Sequence, residues 1–193
     1  KILSLKNVYS LFTYSESKEI ILNIFPQFKY YERLKKVENL NQKFRDKYDN
    51  NLIMALLIVD QSDGYEYFCH KYKTSNSIKN KFKNISKNFE NLKNKKFYLE
   101  ENIKKLIYFT DKDNVIDLLL FSKCVYDEID GLNLKKLLDY VNAWKIPKFP
   151  ISGDYLKKHG YENGQALGAK LKSLEKKWIE NNFVLDNKLL KNL

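Results

Sequence analysis

Apolar residues recur along this chain at intervals of three and four rather than two, the spacing that gathers them on one face of an α-helix. Tyr31, Leu34, Val37, Phe44 and Tyr48 follow it, with Asn41 as the single polar interruption, and predict one amphipathic helix. Leu52 to Val59 is apolar all round, the mark of a central buried helix. Phe97, Ile103, Leu106 and Ile107 make a further stripe. Val115, Ile116, Leu119, Leu120 and Phe121 make the next, and beyond Asp130-Gly131 come Leu132, Leu134, Leu137, Leu138 and Val141. Pro26 should end an early helix at Phe25. Between Lys71 and Lys96, Ile78, Phe82, Ile85, Phe89 and Leu92 keep helical spacing, so they read as core first, with the lysines on the wet face. Base stacking on Phe82 is the functional alternative there. No Asn-Gly or Asp-Gly is flanked by the alternating runs of a hairpin. The pattern predicts an all-α chain, with no evident repeat.

One block breaks this monotony. Pro147 to Trp178 holds two of the three prolines and four of the six glycines. Pro147 and Pro150 bar their predecessors Ile146 and Phe149 from the helical region, so the chain there is extended. Ser152-Gly153-Asp154 is a helix-start signal, and Gly160 ends that helix after about two turns. Asn163 is expected to cap the next helix, which would carry Gly164 and Gly168 in its opening turns. Stepping 100° per residue puts Leu167, Leu171, Leu174 and Trp178 in one arc facing the core. Two glycines in a helix cost about 1 kcal/mol each relative to alanine, so something should offset them. Either bare backbone and a helix N-terminus approach a phosphate, or the helix packs closely on a neighbour.

The run Trp144, Ile146, Pro147, Phe149, Pro150, Ile151, Ser152, Gly153, Gly160, Gly164, Leu167, Gly168, Leu171, Leu174 and Trp178 resembles, in order and spacing, the C-terminal tail of the class II CCA-adding enzymes. These are the tRNA nucleotidyltransferases, here of the bacterial-and-mitochondrial type. Lys1-Ile2-Leu3 resembles the end of that family's neck, and Asn51 to Val59 a buried helix of its body. The specific match covers roughly a fifth of the chain. Two departures stand out: Asp154 follows Gly153 directly, so that Tyr155 holds the place where the family puts an acid, and Asn163 replaces a proline. The resemblance implies an all-α multi-helix body (1–144, starting at the end of the neck) followed by a small helical tail (145–193), without the catalytic head. It implies a protein that grips the acceptor and T-arm backbone of tRNA, whatever its sequence, while that head adds nucleotides to the 3′ end. Magnesium and CTP or ATP would then belong to the head and neck, and this chain would hold no cofactor. The tail of a poly(A)- or CC-adding relative is a neighbouring reading. An all-helical interaction module with no RNA role is the reading from another class.

Charge agrees with an anionic partner. The formal net charge is +11 and the sequence pI about 9.4, a balance that suits nucleic acid. From Lys145 onward ten lysines face five acids, and from Lys71 to Lys112 twelve face four. Abundant lysine and asparagine with only two arginines, Arg33 and Arg45, is also what an AT-rich genome writes on any surface. The RNA-binding candidates are Ser152, Gly153, Lys157, Lys158, Gly164, Gly168, Lys170, Lys172, Lys176 and Lys177, whose backbone amides and cations suit phosphates. A solvated helix face is the plain alternative for each lysine. No catalytic or metal site is expected. Asp111-Lys112-Asp113, the one Asp-x-Asp, lies between helical segments, without the glycine-rich strand turn that two-metal phosphoryl transfer uses, and reads as a capping turn. Neither histidine precedes an aspartate, and Cys69-His70 lacks a second ligand pair. Two cysteines are too few for a disulfide framework, no apolar run reaches the ~20 residues of a membrane span, and a cytoplasmic setting is expected. The chain alone is expected to transfer no nucleotide.

Overall fold

A computed structural model describes residues 2–5, 7–126 and 133–185, and every regular element among them is helical. The expectations that fall on Lys1, Asp130-Gly131 and Leu132 lie outside the described residues. The all-α fold class holds.

The first part of the chain opens with short 3-10 turns and α1 (Ser15–Ile24), which stops at Phe25 before Pro26 as the proline requires. The stripe from Tyr31 to Tyr48 is not one helix. It divides into α2 (Arg33–Glu38) and α3 (Gln42–Arg45). The polar interruption is the cause: Asn41 adopts an extended backbone and its side chain accepts from the Phe44 amide, so it starts a helix instead of continuing one. α4 (Asn50–Ile58) is the central buried helix the sequence predicts, with Leu52, Ala55, Leu56 and Leu57 wholly enclosed. Asp49 caps it through the Leu52 amide. α4 packs against α2, against α6 (Asn76–Asn88) and against α8 (Lys112–Val125), while α5 (Gly64–Lys71) lies on α6. α7 (Glu100–Phe109) and α9 (Leu134–Ala143) cover the other side of α8.

Arg33 locks α4 to this frame. Its Nη1 donates to the carbonyls of Leu56 (3.1 Å) and Val59 (2.7 Å), groups that the end of α4 leaves without helical partners. The guanidinium lies 3.9 Å from the centre of the Tyr30 ring, with Phe89 and Phe121 beyond, and burial lowers its pKa to about 10.

After Trp144 the chain runs extended through both prolines, then forms α10 (Gly153–Lys158) and α11 (Gln165–Glu180), which pack on each other. Ile151, Leu156 and Leu174 form a separate small core, with Phe149, Tyr161, Leu167, Leu171 and Leu185 packed around it. A set of aromatic rings joins this unit to the rest. Trp178 lies 5.7 Å from Tyr108, 5.3 Å from Phe149 and 5.0 Å from Phe183, which also touches Trp144 at 5.4 Å.

Candidate nucleic-acid interface

Ser152 stands in extended conformation before α10, and its hydroxyl accepts from the Tyr155 amide at 3.2 Å. The serine therefore has a structural task at the helix start. A Cβ on Gly153 would meet Leu167 at 3.5 Å, an ordinary contact, so this glycine marks where α10 begins against α11. Gly160 reverses the chain at φ +89°, in the left-handed region where glycine carries no steric penalty.

The start of α11 differs from the expectation in two respects. Asn163 does not cap it; the residue at the cap is Gly164, and no side chain bonds the first amides. Gly164 is also not helical, since φ +141° and ψ −166° belong to a region open essentially to glycine alone. Only Gly168 therefore lies within the helix. A Cβ there would find nothing within 4 Å, so close packing against a neighbouring helix does not explain it. The first turn of α11 is thus a helix N-terminus with uncapped amides and bare backbone beside open space, an arrangement that admits an anion.

The lysines do not form one strip. By the helical step Lys172 and Lys176 share one flank of α11 and Lys170 and Lys177 another, about 130° away. Lys157 is held by Asp154 at 3.1 Å, Lys176 lies 3.9 Å from Glu180, and Lys170 sits over the Tyr161 ring at 5.5 Å. Lys158, Lys172 and Lys177 are exposed and pair with no acid among the described residues.

Sequence reasoning missed Tyr108. Its hydroxyl donates to Glu175 on α11 at 2.5 Å, its ring meets Trp178 and Phe183, and burial, then the Glu175 bond, pushes its pKa up to about 12. Tyr108 lies off the Ile103–Ile107 stripe of α7, so periodicity carried no signal for it.

On α6 the core reading stands: Phe82 and Ile85 are fully enclosed, and stacking of a base on Phe82 is ruled out. Lys79, Lys83 and Lys87 recur every four residues on its exposed face. Lys81 turns the other way, to Asp49 at 3.1 Å and Asp117 at 2.9 Å, on the rim of an open groove of about 630 Å³ that Asp111 and Asp113 also line. That groove is acidic and repels phosphate. Asp111 caps α8 by accepting from the Asn114 amide at 2.7 Å, as a capping turn should. Cys69 is buried in the core and carries no disulfide.

No family model matches the chain. Parts of it are similar to proteins named CCA tRNA nucleotidyltransferase 1, mitochondrial. The zebrafish (Danio rerio) protein is 42% identical over 48 residues, which is 25% of this chain and 11% of that protein. The human protein is 27% identical over 106 residues, 49% of this chain and 24% of that protein. The mouse (Mus musculus) protein is 32% identical over 50 residues, 26% of this chain and 12% of that protein. The matched stretches thus span at most about a quarter of those relatives, and over them the chain is related to the CCA tRNA nucleotidyltransferases.

Proposed function

We propose that this chain is the tRNA-holding body and tail of a CCA-adding tRNA nucleotidyltransferase. Residues 1–144 form the body and 145–193 the tail. Nucleotide addition, with its magnesium and CTP or ATP, is the work of a head outside these 193 residues. The observation that carries the reading is the uncapped, glycine-lined start of α11. Gly164 and Gly168 leave backbone open to a phosphate, and no packing contact accounts for Gly168. The similar proteins, named as tRNA nucleotidyltransferases, supply the class of RNA. Backbone contacts without base-edge readout suit a protein that holds every tRNA by shape.

Binding of a tRNA transcript to the 193-residue chain, measured by fluorescence anisotropy across a salt series, tests this. Replacing Lys158, Lys172 and Lys177 together by Gln should flatten the dependence of log K on log salt by roughly 2 to 3, since each phosphate contact contributes about 0.7 to 0.9. An unchanged slope and affinity would reduce these lysines to a solvated face. Incubated with tRNA lacking its 3′ end, ATP, CTP and magnesium, the chain should leave the RNA unextended.

A further inference from the structure

α10 carries a feature that neither the glycines nor the lysines explain. Tyr155 and His159, four residues apart, place their rings 4.4 Å centre to centre with planes 31° apart. Both side chains are exposed. The helix buries Leu156 instead, so the small core of this region does not depend on the ring pair. His159 Nδ1 lies 2.9 Å from the Tyr155 carbonyl oxygen. A carbonyl oxygen only accepts, so Nδ1 is the donor. That bond fixes the imidazole against the tyrosine, and in the neutral ring it leaves Nε2 as an acceptor. An orientation set in advance lowers the entropy that a bound group must overcome.

The charges around the pair are arranged for an anionic chain carrying flat groups. Lys158 lies between Tyr155 and His159 in sequence, within about 60° of Tyr155 around the helix, and pairs with no acid among the described residues. Asp154, one helical step away from the rings, is neutralised by Lys157 at 3.1 Å. Unstacked bases in RNA loops and single strands are held by aromatic side chains beside a cation, and every base offers a face for this.

We propose that Tyr155 and His159 form a platform on which an unpaired nucleobase of the bound RNA stacks, with Lys158 meeting the adjoining phosphate. The platform rests on the reading of this region as an RNA-binding surface and adds to it a site for bases rather than backbone. Stacking and phosphate contacts separate experimentally, because stacking releases no condensed counterions. Tyr155→Ala in the 193-residue chain should weaken binding to the tRNA transcript roughly 5- to 150-fold, the range for loss of one base–aromatic stack. The salt slope should stay that of the unaltered chain, and Tyr155→Phe should restore affinity. His159→Ala should weaken binding in the same sense, and its place beyond the last helical residue keeps it informative if Tyr155→Ala disturbs α10. A blunt RNA duplex without unpaired bases should bind all these variants alike.

If the unaltered chain binds no tRNA, the RNA-binding reading falls and the platform with it. If the lysine triple variant lowers affinity while Tyr155→Ala and His159→Ala do not, the backbone reading stands and the platform alone is overturned. Failure of Tyr155→Phe to recover binding would assign the effect to the hydroxyl and overturn stacking as well.

Discussion

The two ends of this molecule are held together by different means. Before Trp144, helices surround α4, and large side chains such as Phe82, Phe121, Leu56 and Leu118 are completely enclosed. After it, Ile151, Leu156 and Leu174 are the buried members of the local core. A core that small does not order the stretch 145–185 by itself. The tail gains its remaining stability from the rings it shares with the body, Trp178 and Phe183 against Tyr108 and Trp144. The stretch before Trp144 rests on its own large core, while the stretch after it leans on those shared rings and leaves glycine, lysine and exposed rings on its surface.

The strongest way to break this contrast is to damage each core and compare. Phe121→Ala should cost about 3–5 kcal/mol, as large-to-small changes in tight cores do, and should lower the main melting transition of the chain. Phe121 packs edge-on to Phe89 at 6.1 Å and lies 5.6 Å from Arg33, so both contacts go with it. Trp178→Ala removes a comparable side chain at the joint, and its loss should fall on the tail. Circular dichroism should show the main transition little moved, while trypsin cleaves first around Lys145 and Lys148. If Trp178→Ala lowers the main transition as much as Phe121→Ala, body and tail are one cooperative unit and the contrast fails.

The same contrast governs what could be read from sequence. Leu52 to Val59 was legible because a helix apolar on all sides has only one place to be. Ser152 was legible as a cap, and Gly160 as a stop, because their chemistry is local. Three features were not. Asn41 reads as a blemish in a stripe until its side chain is seen to start α3. Asn163 reads as a cap, yet the left-handed backbone of Gly164 supplies the start of α11 without one. Tyr108 finds Glu175 across 67 residues, a pairing no periodicity encodes. Nor does sequence say what surrounds Gly168, and on that the choice between packing and ligand turns.

A milder test asks whether body polarity follows the same logic of enclosure. Lys81 bridges Asp49 and Asp117 at the rim of the acidic groove. Burial works against the charged lysine, but the two carboxylates outweigh it and its pKa rises. Asp117 also titrates above its ordinary 3.8, chiefly through burial that Lys81 offsets only in part. Asp49 and Asp113 add repulsion to that burial, so the Asp117 carboxylate depends on Lys81 to stay ionised. Lys81→Met should then destabilise the body by about 1–2 kcal/mol, less than a fully enclosed pair would lose, because the groove is open to water. Between pH 3.8 and the raised pKa, the folded state binds more Asp117 protons than the unfolded state, so this contribution to stability grows as pH falls. Lys81→Met should widen that window. Urea titrations at several pH values would show it, and a variant whose stability tracks the parent at every pH would place Asp117 in effective contact with water.

The smallest expected effect is the most discriminating for the tail. Gly168 is helical and a Cβ there meets nothing within 4 Å, so Gly168→Ala should stabilise α11 by up to about 1 kcal/mol, the propensity difference between the two residues. Gly164→Ala should do the reverse by about 1–3 kcal/mol, because φ +141° strains any residue with a Cβ, although the space is equally open. The two alanines thus separate backbone conformation from surroundings. If Gly168→Ala tightens the fold and leaves tRNA affinity alone, the methyl group intrudes on nothing and phosphate approach at that residue is refuted. If it tightens the fold and weakens tRNA binding at low salt, the chain keeps a glycine there at the expense of helix stability. The cause is then a ligand's close approach, since no neighbouring side chain stands near enough to require it.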